Sequence, residues 1–110
     1  MDETTRKVLD YFKKYSSVGV LRALEDLYTL YKIEPGVGMR TINELIKMGI
    51  LEREGDIFSG TLNYTVKHGK RLSESDFVSE FEAAAVESAI KLLEGKVIDW
   101  RSKGVEDECH

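Results

Sequence analysis

Residues 33–54 read Ile33-Glu-Pro-Gly-Val-Gly-Met-Arg-Thr-Ile-Asn-Glu-Leu-Ile-Lys-Met-Gly-Ile-Leu-Glu-Arg-Glu54, and a second informative stretch follows as Tyr64-Thr-Val-Lys-His-Gly-Lys-Arg-Leu72. Pro35 suits the first turn of a helix, where its missing N–H costs nothing, and it disfavours helical geometry at Glu34. Within that helix Met39, Ile42, Leu45 and Ile46 recur at helical spacing and face inward, leaving Arg40, Thr41, Asn43, Glu44 and Lys47 outside. Gly49 supplies the left-handed stop. Ile50 to Arg53 and Leu62 to Val66 then read as two strands, with Gly55 and Gly60 marking the 54–61 segment as a hairpin loop or bulged tip. A helix followed by a hairpin is the second half of a winged helix-turn-helix. The expected class is mainly α with a small β-hairpin (α+β).

Upstream, Thr4 or Thr5 is placed to cap a helix running to about Tyr15, with Val8, Leu9, Tyr11, Phe12 and Tyr15 on its apolar side. Ser16-Ser17 offers the next cap. The second helix carries Val20, Leu24, Leu27 and Tyr31 on one stripe, widened by Leu21 and Tyr28, and ends near Tyr31 or Lys32. Downstream, Ser73-Glu-Ser-Asp76 reads as a capping box ahead of a long apolar series. A helix from Glu74 to Arg101 is about 40 Å long, more than a head of this size can cover. Its residues Phe77, Val78, Phe81, Ala85, Ala89, Leu92, Leu93, Val97 and Trp100 are therefore expected to meet a second copy of the chain, with some of the helix folding back on the first helix. The organisation that results is a head over 1–72, a dimerisation helix over 73–103 and a disordered tail over 104–110.

The chain has 110 residues, the size of one domain with a modest core. No apolar stretch approaches the ~20 residues that span a bilayer. The N-terminal residues lack the apolar core of a signal peptide, so a cytoplasmic location is expected. The single cysteine, Cys109, suits a reducing compartment. The net charge of −4 is unevenly spread: residues 1–33 and 34–72 carry +1 each, and residues 73–110 carry −6. The acidity belongs to the C-terminal segment, and the head is only weakly positive, a thin basis for phosphate neutralisation.

These residues resemble the winged-helix transcription regulators of the MarR and PadR kind. Those families show a Val-Ser-Pro-Ser-Thr-Val-x-Arg-x-Leu-x-x-Leu-x-x-x-Gly-Leu-Ile-x-Arg pattern that lies without gaps on Ile33–Arg53, matching Pro35, Arg40, Ile42, Leu45, Gly49, Ile50, Leu51 and Arg53. Their second signature, Tyr-x-Leu-Thr-x-x-Gly-x-x-Leu, is similar to Tyr64–Leu72. The resemblance implies double-stranded DNA as partner and a homodimer joined through the C-terminal helix. It departs at the entrance of the third helix, where Glu34, Gly36, Val37 and Gly38 replace small hydroxyl residues, and at Lys32, where the family turn holds Gly.

On this reading the helix over 37–48 enters the major groove, and the two copies sit about 34 Å apart. Arg40, Thr41, Asn43 and Glu44 are the base-contact candidates, since Arg forks to guanine and Asn to adenine. Gly36, Gly38, Lys47, Arg53, Lys67, His68, Lys70 and Arg71 are the phosphate candidates, with the 54–61 wing on the flanking backbone. The plainer alternatives are a solvated helix face and edge-strand charges that deter sheet pairing. Tyr11, Tyr15, Tyr28 and Tyr31 read as core with hydroxyls at the rim, an effector pocket being the alternative. Glu106–His110 holds metal-ligand types, but a solvated tail supplies few fixed ligands. No cofactor, phosphate loop or nucleophile motif is present, and no catalysis is expected. The rival function is a winged helix serving as a protein-interaction module, docking through an Ile57-Phe58 tip or the apolar helix 77–100.

Overall fold

Helix α1 (Glu3–Lys14) opens on Asp2, whose carboxylate accepts the Thr5 backbone N–H at 2.7 Å. The cap therefore lies two residues ahead of Thr4 and three ahead of Thr5, the expected caps. The computed structural model describes residues 2–60 and 71–109, with side chains as far as Glu94. Val8, Tyr11 and Phe12 form the buried side of α1, while Tyr15 stays about half exposed beside the Tyr11 ring.

Ser16-Ser17 does not cap the second helix. Ser17 begins a short strand, β1 (Ser17–Gly19), and α2 (Val20–Tyr31) starts directly behind it. Three residues are too few for alternation to show, and the strand exists because a distant edge offers it partners. The α2 stripe is also narrower than expected: Val20, Ala23, Leu24 and Leu27 are buried, whereas Leu21 is 61% exposed. The helix stops at Lys32, in the left-handed conformation at φ 59°. There the Lys32 N–H donates to Tyr28 O and the Ile33 N–H to Leu27 O, a Schellman stop with lysine where glycine is usual.

Helix α3 (Pro35–Lys47) follows the sequence expectation closely, with Pro35 in its first turn and Ile42, Leu45 and Ile46 buried. Gly49, at φ 75°, ends it as expected. Gly38 lies where α3 crosses α2: a Cβ there would sit 3.2 Å from Leu24 Cδ2.

Strands β2 (Leu51–Glu54) and β3 (Ile57–Gly60) form a hairpin, and β1 adds to the far edge of β3, giving an antiparallel sheet in the order β1-β3-β2. Glu54 pairs with Ile57, so the turn is only Gly55-Asp56. Gly55 takes φ 59° and Asp56 does not go positive, the signature of a type II′ turn. Of the segment read as a loop over 54–61, the described residues, up to Gly60, are thus mostly strand. A single glycine meets the one backbone requirement of the turn, and Gly60 is a paired strand residue opposite Leu51. The returning strand expected over 62–66 lies outside the described residues. The element order α1-β1-α2-α3-β2-β3 is that of a winged helix-turn-helix, and Phe58, fully buried, sits at the centre of its core against Phe12.

The capping box at Ser73 and Asp76 is present but closes only a short 3-10 turn, Glu74–Asp76. The chain is extended at Phe77, and a second box restarts it. Ser79 Oγ accepts the Glu82 N–H at 3.1 Å, and the Ser79 N–H donates to Glu82 Oε1 at 3.2 Å. Helix α4 (Glu80–Cys109) then lays Ala83, Val86 and Ile90 onto the head. It runs past residue 103, where the tail was expected; no proline follows Pro35 to break it. No helix among the described residues is long and apolar enough to cross a membrane.

Lys32→Gly should raise unfolding stability by about 0.5–1 kcal/mol, because a β-carbon in the left-handed region is strained. Urea melts of the two proteins measure this directly.

Candidate functional site

The outward side of α3 is where a winged helix reads DNA, and its polar residues have divided between two tasks. Arg40, Glu44 and Lys47 form an exposed row one turn apart, and none of them makes an ion pair among the described residues. Thr41 turns its hydroxyl back onto its own helix, donating to Val37 O at 2.9 Å. Asn43 is not available to a base. Its Nδ2 donates to Val78 O at 3.0 Å and its Oδ1 accepts the Val78 N–H at 2.7 Å, so the carboxamide pairs like a peptide with the chain entering α4. Gly38 is likewise withdrawn, buried against α2, while Gly36 has open space about it.

Arg53 departs furthest from the phosphate role expected of it. Its side chain is only 6% exposed. Nε donates to Gly55 O at 2.7 Å, Nη1 donates to Phe77 O, and Nη2 meets Glu82 Oε2 at 2.7 Å. The guanidinium also lies 5.5 Å from the centre of the Phe58 ring. One signal for this was in the sequence: Arg53 follows Leu51 by two residues, and in a strand that spacing shares a face. Burial pushes the Glu82 carboxyl up, but hydrogen bonds from Arg53 and Ser79 outweigh it and hold it below its ordinary value. Arg71 is exposed. Lys67, His68 and Lys70 lie outside the described residues.

The residues expected at a dimer interface separate in the same way. Val78 is buried in the chain's own core and Phe77 is half-buried against it. Phe81, Ala85, Ala89, Leu92 and Leu93 are exposed. Val97 and Trp100 lie outside the described side chains. The inner face of α4 belongs to Ala83, Val86 and Ile90, none of them among the residues expected at the interface. Tyr11 is fully buried and donates to Asp26 at 2.6 Å; burial and that carboxylate push its hydroxyl pKa up. Tyr28 donates to Glu94 at 3.1 Å, tying α2 to α4. A groove of about 520 Å³ opens beside α4, lined not by these tyrosines but by Gly19, Val20, Leu21, Asp56, Phe81 and Ala85 among others.

The fold and its pinned third helix define a winged helix-turn-helix protein with an appended helix seated on its head. The family model for PolB1 Binding Protein 2 (PBP2) matches residues 2–61, from the α1 cap through β3, and the chain belongs to that family. Neither the curated proteins nor the solved structures contain a match.

Asn43→Ala should destabilise the protein by about 2–4 kcal/mol, since it strands the N–H and C=O of buried Val78 without partners. Chemical denaturation measures the loss. Acid should weaken the fold through Glu82. A carboxyl depressed in the folded state adds stability above its unfolded pKa, near the 4.5 of a free glutamate, and loses it as pH falls through the lower folded value. Glu82→Gln should flatten stability against pH below about 4.5, read from melts across that range.

Proposed function

We propose that the protein is a winged-helix protein-interaction module whose partner is PolB1, the protein that its family's name says is bound. Family membership over 2–61 carries this reading. The geometry agrees with it: Asn43 and Arg53, the residues best suited to reading base edges and clamping phosphate, spend their hydrogen bonds inside the molecule. A row of Arg40, Glu44 and Lys47 alternates in sign and offers little net charge to a duplex.

DNA binding by a dimer of the MarR and PadR type keeps a foothold in exposed Arg40 and Lys47. The two readings part cleanly in solution. The chain should bind purified PolB1 in calorimetry with micromolar affinity or tighter, about −8 kcal/mol. Its binding to random-sequence duplex at ~50 mM salt should be weak and should not depend on Arg40. Failure to bind PolB1, together with steeply salt-dependent duplex binding that Arg40→Ala abolishes, would reverse the assignment.

A further inference from the structure

Helix α4 is apolar on two opposite faces. One row, Ala83, Val86 and Ile90, is buried on the head. At about 100° per residue, Phe81, Ala85 and Leu92 lie on the reverse side. There Phe81 is 82% and Leu92 67% exposed, and Ala84 and Ala89 widen the stripe. A phenyl ring left in water forgoes about 2 kcal/mol of burial, and nothing in the packing of the described residues requires it. The stripe also continues into the groove beside it: Phe81 and Ala85 form one wall, and Gly19, Val20 and exposed Leu21 form the other.

Charge around this surface identifies its occupant. Arg22, at one end of the groove, is taken up by Asp26 at 2.9 Å, and Lys91 by Glu87 at 3.4 Å. What remains is acidic. Asp56, at the hairpin turn, has a side chain 95% exposed and lies 3.8 Å from Arg53, whose single charge Glu82 already meets at 2.7 Å. The three together leave one negative charge, and Glu80 is exposed at the start of α4. A second copy of this chain would bring the same acidic flank against itself, which opposes self-association. A segment with an apolar anchor between basic residues answers both features.

We propose that the outer face of α4 and its groove form the docking surface for an apolar, lysine- or arginine-flanked segment of PolB1; the inference rests on the functional reading above. The anchor fills the groove between Leu21 and Phe81, and the basic flanks lie toward Asp56 and Glu80. The test is calorimetric titration of purified PolB1 with the wild-type chain, Phe81→Ser, Leu21→Ser, Asp56→Asn/Glu80→Gln and Arg40→Ala, with melts to confirm that these exposed substitutions leave the fold intact. Phe81→Ser and Leu21→Ser should each weaken binding at least ~10-fold. The double charge variant should weaken it about 3-fold and make it less salt-dependent, and Arg40→Ala should bind as wild type. Absence of wild-type binding overturns the PolB1 reading and this surface with it. Wild-type binding that Phe81→Ser leaves undiminished overturns the surface alone. Light scattering that finds the wild-type chain dimeric and Phe81→Ser monomeric assigns the stripe to a second copy and overturns the proposal.

Discussion

The guanidinium of Arg53 holds the two parts of this molecule in one arrangement. It is removed from water, so its charge and its donors must be answered within the protein, and they are answered by three separate pieces of chain. One edge closes the hairpin turn at Gly55, another takes the Phe77 carbonyl in the extended link, and the third meets Glu82 in the first turn of α4. A planar fork spreads its donors over three nitrogens and so reaches three acceptors set well apart, a span that the single nitrogen of a lysine ammonium does not cover. Glu82 is committed on its other side to Ser79, so the same carboxylate starts α4 and anchors it. The start of α4 is thereby registered against the hairpin, and Asn43 fixes the same link from the α3 side.

This arrangement explains why a head with the winged-helix order need not behave as a reader of DNA. In such a head the third helix and the hairpin work as free tools held out toward a duplex. Here the most capable polar side chain of each is turned inward to hold a further helix. The exposed remainder of α3 is a row of mixed sign, and the acidic bias of the chain sits on the C-terminal segment.

The parts legible in the sequence were those whose determinants are local. Pro35 and Gly49 bracket α3 because each acts on the backbone within a residue or two of itself. The apolar spacings of α1 and α3 were equally readable, as was the class of the fold. What escaped was non-local. The β1 strand is three residues whose partners lie some forty positions away, at Ile57 to Ser59. Asn43 and Arg53 looked like reading residues because a polar side chain on a helix or hairpin advertises its chemistry and hides its partner, which here lies 24 to 35 residues downstream. The break ahead of α4 was visible in principle: Ser79 and Glu82 repeat the pattern of Ser73 and Asp76, and two starts within one apolar series imply an interruption between them.

The joint between the head and the link ahead of α4 is made to main-chain atoms. Asn43 grips the N–H and C=O of residue 78, and Arg53 takes the carbonyl of residue 77. Every amino acid but one supplies those groups in the same places, so the latch is blind to the side chains it holds, and substitutions that keep the local packing can accumulate in the link without loosening it. Proline at position 78 is the exception: it has no N–H to give Asn43. The hold on the link is thus written in two residues of the head, whereas α4 itself is bound through Glu82, Glu94 and its buried row, so the side chains that fix its docking are confined to its inner side.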